Sequence, residues 1–208
     1  MILGVIPARG GSKGLPGKNI HNLNGKPLIS WSIESGLSSS LIDRLVVSTD
    51  SVEIANISKL YGAEIDMRPK YLATDDSTTI SVLNDLIDRH PDVDTIVVLQ
   101  PTSPIRDKDL IDKCIRIYRD GGYSNLATGF KCKYKEYGSH NNLRRQDIDG
   151  FFYDDGNVYV LSRDLVESGI WFGKNYFCYE IPKHMNFEID DALDFVIVEA
   201  LMANINSI

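Results

Sequence analysis

The residues of this chain best suited to chemistry crowd into one short segment, Pro7-Ala8-Arg9-Gly10-Gly11-Ser12-Lys13-Gly14-Leu15-Pro16-Gly17-Lys18-Asn19. Its four glycines let the backbone turn until successive N–H groups converge, and convergent N–H groups make a concavity for phosphate oxygens. Arg9, Lys13 and Lys18 would supply cations to the same anion. Two familiar phosphate motifs are absent: no glycine pair has the offset of G-x-x-x-x-G-K-[ST], and no G-x-G-x-x-G occurs. Taken alone, such a loop competes with the plainer reading of a solvated turn. A second pair, Glu188 and Asp190, is spaced by two, so on a strand both carboxylates point to one side. Paired oxygen ligands suit Mg²⁺ that bridges phosphates; the alternative is that both acids cap the final helix.

Charge separates the two candidates from the rest of the molecule. The 208 residues carry 22 Lys+Arg against 29 Asp+Glu, a formal net charge of −7. Residues 1–33 nevertheless contain Arg9, Lys13, Lys18 and Lys26 and no acid at all. The overall balance argues against nucleic acid as a partner, whereas a local basic island suits a small anion.

The elements that must position these groups are legible in the apolar pattern. Ile2–Ala8, Leu45–Thr49 and Thr95–Leu99 read as fully buried strands. Pro27–Leu37, a helix capped by Asp50 with Glu53 as return partner and closed by Gly62, residues 77–89, Asp109–Tyr118 and Asp190–Asn204 read as helices. The last would turn Leu193, Val196, Ile197, Ala200 and Leu201 to one side. Buried strands alternating with helices predict an α/β fold with a parallel sheet covered on both faces. In such sheets ligands sit beyond the carboxyl ends of the strands, where the Gly/Lys loop emerges from the first of them. After residue 122 the pattern changes: Asn125–Cys132 and Val158–Leu161 read as strands flanking the polar stretch Lys133–Asp149. The length suits a single domain, 1–208, with 123–160 as an excursion. No apolar run is long enough to span a membrane and the N-terminal segment lacks a basic leader region, so a soluble cytoplasmic chain is expected. Cys114, Cys132 and Cys178, odd in number and scattered, read as buried thiols in a reducing compartment.

ARGGSKGLPGKN closely resembles the signature of the acylneuraminate cytidylyltransferases, which activate sialic and related nonulosonic acids as CMP-sugars. The resemblance continues in order through Asn24-Gly25-Lys26-Pro27-Leu28, Val47-Ser48-Thr49-Asp50, Arg68-Pro69 with Leu72-Ala73-x-Asp75, and Leu99-Gln100-Pro101-Thr102-Ser103-Pro104-Ile105-Arg106. It resumes at Arg144-Arg145-Gln146-Asp147, Gly156-Asn157-Val158-Tyr159 and Glu188-Ile189-Asp190. So many ordered blocks along nearly the whole chain leave little room for coincidence.

The resemblance implies a Rossmann-like nucleotide-diphospho-sugar transferase fold with a small dimerisation excursion, and a homodimer. It implies CTP and a nonulosonic acid as substrates, with the anomeric C2 hydroxyl attacking the α-phosphorus and pyrophosphate leaving. Ala8, Arg9, Gly10, Gly11, Ser12, Lys13 and Lys18 would hold the triphosphate, and Asn19, Arg68 and Thr79 the cytidine. Gln100, Thr102, Ser103, Asn157 and Tyr159 would face the sugar, and Asp190 with Glu188 would hold Mg²⁺. Arg9, Lys13, Lys18 and Asp190 form the expected catalytic set. Trp171 and Phe172 match the family's acyl-contacting region less tightly and read more readily as packing residues. Arg106 is expected to pair with a helix acid. His21, His90, His140 and His184 lie outside the strongest blocks and read as structural, so no general base stands out. Three departures fall on the sugar or metal side. The family usually has Asp where Glu188 stands, Gly156-Asn157 replaces a common Asn-Gly, and Thr128–Phe152 is shorter than the usual insert. The acceptor is therefore left open among N-acetylneuraminate, legionaminate, pseudaminate and a deaminated analogue. The LQPTSP block disfavours a 3-deoxy-octulosonate acceptor; a phosphonate acceptor and a silent nucleotide-binding module remain the alternatives.

Overall fold

The computed structural model describes residues 1–139 and 141–204, so His140 lies outside the described residues. Strand β1 (Ile2–Pro7) leads through the Gly/Lys loop to a two-stranded hairpin, β2 (Asn22–Leu23) and β3 (Lys26–Pro27). Then follow α1 (Leu28–Ser38), β4 (Arg44–Thr49), α2 (Val52–Leu60), β5 (Glu64–Met67), α3 (Thr79–Asp88) and β6 (Thr95–Val98). The remainder is α4 (Leu110–Asp120), β7 (Asn125–Cys132), β8 (Phe151–Ser162), α5 (Arg163–Glu167), β9 (Tyr176–Glu180) and α6 (Ala192–Asn204).

Seven strands form one sheet in the order β5-β4-β1-β6-β8-β7-β9. β5, β4, β1 and β6 are parallel, β8 runs antiparallel to both neighbours, and β9 is parallel to β7. Alternation along β1 shows why its run is apolar throughout. Ile2 and Ile6 pack beneath Leu28 and Ile33 of α1 and Ile111 and Ile115 of α4, while Leu3 and Val5 pack beneath Leu83, Leu86 and Ile87 of α3. Each such side chain contributes about 1.5–3 kcal/mol on burial, so a slip of one residue would be opposed on both faces. The chain leaves β1 toward β4 on one side and reaches β6 on the other, which opens a crevice at their carboxyl ends.

Several elements differ from the sequence reading. Ser51, not Asp50, caps α2, its Oγ accepting from the Ile54 N–H at 3.3 Å. Asp50 accepts instead from the Gly10 N–H at 2.8 Å and so pins the Gly/Lys loop. The short edge strands β5 and β9 escaped the pattern because edge strands bury less apolar surface: Glu64 and Met67, and Tyr176 and Glu180, are exposed. α6 is apolar nearly all round, so its period does not identify its inner face. Phe195, Val198, Leu201 and Met202 pack on the core, whereas Leu193, Val196 and Ile197 face outward.

β8 is three times the length of the expected Val158–Leu161, because a bulge interrupts its pattern. The pairing jumps from Ala127↔Tyr159 to Gly129↔Asp154, leaving Asp155, Gly156, Asn157 and Val158 within the bulge. Thr128 plugs it: its Oγ1 donates to Asp155 Oδ1 at 2.8 Å and accepts from the Val158 N–H at 2.9 Å. β7 and β8 thus belong to the main sheet, and the described residues of 133–150 between them form no strand. Cys114 and Cys132 are buried as expected; Cys178 is only half-buried, and all three are free thiols.

Candidate functional site

The crevice between β1 and β6 holds a cleft of about 370 Å³. Arg9, Ser12, Lys13, Gly14, Lys18 and Asn19 form one wall; Gln100, Pro101 and Thr102 form the other, and Asp190 closes the rim. Larger cavities exist, but it is this one that combines the Gly/Lys loop, the β6 loop and the acidic segment before α6.

The loop is held open by its own contacts. Asp50 fixes Gly10, Asn19 Nδ2 donates to the Arg9 carbonyl at 3.2 Å, and Gly17 takes a left-handed φ of 68°. Lys18 Nζ donates to the Ile189 carbonyl at 2.6 Å and stands 3.5 Å from Asp190 Oδ1. Gly14 lies so close to the segment before α6 that an added Cβ would meet the Asp190 carbonyl at 2.2 Å. Ala8 is buried at the end of β1, Gly10 lines a small recess behind Arg9, and Gly11 faces open space. Lys26, the fourth cation of the basic island, lies elsewhere: its ammonium sits 3.5 Å over the Trp31 ring and pairs with Glu34.

The remaining expected residues stand behind or beside the cleft. Arg68 is buried, its Nη2 donating to the Ser48 carbonyl and its Nη1 to the Leu72 carbonyl at 3.4 Å; burial lowers its pKa. Thr79, half-buried, begins α3 and is not on the cleft wall. Ser103 and Asn157 are fully buried: Ser103 Oγ donates to the Asp155 carbonyl at 2.8 Å, and Asn157 Nδ2 donates to the Ile105 and Met185 carbonyls at 2.9 and 3.1 Å. Both therefore brace the wall from behind and do not present side chains to the cleft. The Tyr159 hydroxyl donates to Asp154 at 2.7 Å, and its ring meets Trp171 edge-on at 4.9 Å in a neighbouring pocket of about 490 Å³. There Trp171 packs against the core and Phe172 is exposed.

Glu188 is half-buried, and its carboxyl is pushed up to about 7, first by burial and then by the carboxylates of Asp190, Asp155 and Asp154. Gly156, at φ 68°, makes room for it: a Cβ there would lie 2.8 Å from Glu188 Oε1 and 3.0 Å from Ser103 Oγ. Beneath, Asp155 is buried with one oxygen unpartnered. No three His, Cys, Asp or Glu residues converge as a preformed metal centre among the described residues. Of the two carboxylates, Asp190 stands at the rim of the cleft and Glu188 does not line it; carboxylate oxygens are donors that a divalent cation with phosphate and water ligands can use.

Arg106 departs from its expected role. It pairs with no helix acid. Its Nε donates to the Asn157 carbonyl at 3.0 Å, its Nη1 to Ser32 Oγ at 2.8 Å and its Nη2 to the Gln100 carbonyl at 2.8 Å. The guanidinium thereby joins the β6 loop, the β8 bulge and α1. Asp50 and Asp75 were also missed as site residues, although both stand in the blocks quoted above. Their role depends on which loop folds against them, which spacing along the chain does not reveal.

A family model described as cytidylyltransferase matches residues 3–168. The chain is 33% identical over 224 residues to CMP-N,N'-diacetyllegionaminic acid synthase of Legionella pneumophila, covering 97% of this chain and 96% of the relative. It is 32% identical over 211 residues to N-acylneuraminate cytidylyltransferase B of Danio rerio, covering 94% of this chain and 50% of that protein. Against relatives of the latter kind, the chain spans about half the length. Among solved structures, a CMP:2-keto-3-deoxy-manno-octonic acid synthetase complexed with CTP superposes with a TM-score of 0.77 over 98% of each chain, at 17% identity, a likeness of fold. By its matched family model and by the full-length Legionella relative, this chain belongs to the acylneuraminate-type cytidylyltransferase family.

Proposed function

We propose that this chain transfers CMP from CTP to the anomeric C2 hydroxyl of a nonulosonic, sialic-type acid and releases pyrophosphate. The observation that carries the reading is the meeting of Arg9, Lys13 and Lys18 with Gln100, Thr102 and Asp190 around one cleft. In-line displacement at phosphorus needs charge neutralised and two reactants aligned, more than covalent help. The three cations and the Gly10–Gly14 backbone would take the triphosphate oxygens, and Gln100 and Thr102 on the opposite wall would orient the sugar. Asn19, Arg68 and Thr79 mark the cytidine side, with Arg68 acting through the Ser48 and Leu72 carbonyls it holds. The crowded carboxylates at 188 and 190 fit Mg²⁺, with Asp190 as the more open ligand; when bound, it would neutralise phosphate charge.

The reading carries three further expectations: a homodimer through 123–160, a cytoplasmic setting, and neither nucleic acid nor membrane as partner. Exposed Tyr134, Phe151 and Tyr153 support the first, and the free thiols the second. For the last, among the described residues no helix is long and apolar enough to cross a membrane, and the net charge of −7 disfavours nucleic acid. Light scattering of the purified chain tests the dimer.

The deciding experiment is pyrophosphate release from CTP and Mg²⁺ with a panel of nonulosonic acids. Turnover with one of them is expected. Binding of CTP with no turnover on any sugar would replace the reading with a different acceptor, such as a phosphonate, or with a silent nucleotide-binding module.

A further inference from the structure

The clamp cations are each paired with a carboxylate of the chain itself. Lys18 faces Asp190, and a single carboxylate, Asp75, serves both of the others: Oδ1 lies 2.7 Å from Arg9 Nη1 and Oδ2 lies 2.8 Å from Lys13 Nζ. Arg9 Nη1 also donates to the Thr74 carbonyl at 3.2 Å. Asp75 itself does not line the cleft, so it draws both cations from outside. It rides on a loop with its own bracing: Ser77 Oγ accepts from the Thr74 N–H at 3.2 Å and donates to the Tyr71 carbonyl at 3.0 Å. The base of that loop is anchored by buried Arg68.

A carboxylate bridging a guanidinium and an ammonium has the geometry of a phosphate oxygen pair shared between them. We propose that Asp75 is an internal counter-ion for the clamp, a latch that holds Arg9 and Lys13 in the empty enzyme and that an incoming triphosphate must displace. The latch rests on the reading of the cleft as a triphosphate site and adds a cost to filling it. Both ion pairs are solvent-exposed, so the competition is modest and weakens with salt.

The test compares wild-type protein with Asp75→Asn, a near-isosteric change on an exposed loop, by calorimetric titration with CTP and with inorganic tripolyphosphate. A latch predicts that Asp75→Asn binds both about three- to ten-fold more tightly at low salt, with the gain shrinking at high salt. Adding Lys13→Ala to Asp75→Asn removes most of that gain. A residue serving only to support the loop would move affinity the other way, so unchanged or weaker binding by Asp75→Asn overturns the latch. If the wild-type chain binds neither ligand, the triphosphate site itself falls, and the latch with it.

Discussion

Lys18 Nζ stands 3.5 Å from Asp190 Oδ1 across a separation of 172 residues. Its stronger bond, at 2.6 Å, goes to the neighbouring Ile189 carbonyl. The loop after the first strand and the segment before the last helix are thus sewn together by one lysine, which is 12% exposed against 80% for the aspartate side chain. The ammonium is the more enclosed half of the pair, tied to the segment before α6 while still lining the cleft, and the carboxylate is the more exposed half.

From that asymmetry, Asp190→Ala should abolish turnover, by about 10²–10³-fold or more, while leaving the fold intact. Its exposed side chain predicts a melting shift of no more than about 1–2 °C. Pyrophosphate release and a thermal melt on the same preparation check both halves; normal activity would remove Asp190 from the site.

Gly14→Ala places a methyl group against the Asp190 carbonyl, where an ideal Cβ comes to 2.2 Å. Both partners are backbone, so the loop and the segment before α6 must separate. A displacement on the order of 1 Å between the two walls predicts a loss of about a hundredfold in kcat/KM. Steady-state kinetics on CTP reads it directly; wild-type kinetics would show that the apposition is not required.

Arg106→Met should act on stability first. It leaves the Gln100 and Asn157 carbonyls and Ser32 Oγ without the guanidinium that joins them. Losing charge-assisted bonds to buried acceptors costs about 3 kcal/mol, a fall of roughly 6–12 °C in melting temperature for a chain of this size. A calorimetric melt unchanged from wild type would refute the brace.

The three thiols should differ in reactivity. Burial pushes Cys114 up to about 12, so at pH 8 it is protonated as well as inaccessible. Cys178, half-buried on the wall of the aromatic pocket, should be alkylated first despite its own raised pKa. Mass mapping after brief treatment of the native chain with iodoacetamide checks the order; labelling of Cys114 ahead of Cys178 would contradict it.

Sequence alone determined the three central parallel strands, because runs such as Ile2–Ile6 are apolar for a reason that is local and additive: both faces are covered. It also determined the Gly/Lys loop and the identity of the acids at 188 and 190, because residue type at fixed spacing is sufficient to name that chemistry. Only the tertiary structure decided which of those groups meet. Asp50 read as a helix cap until the loop folded against it, and Lys26 counted toward the basic island until Trp31 and Glu34 claimed it. Ser103 and Asn157 read as contact residues until the fold buried both, Ser103 on the β6 loop against the Asp155 carbonyl and Asn157 within the β8 bulge. A bulge, a counter-ion and a brace are relations between segments far apart in the chain. Their energies exist only once the sheet has brought those segments together.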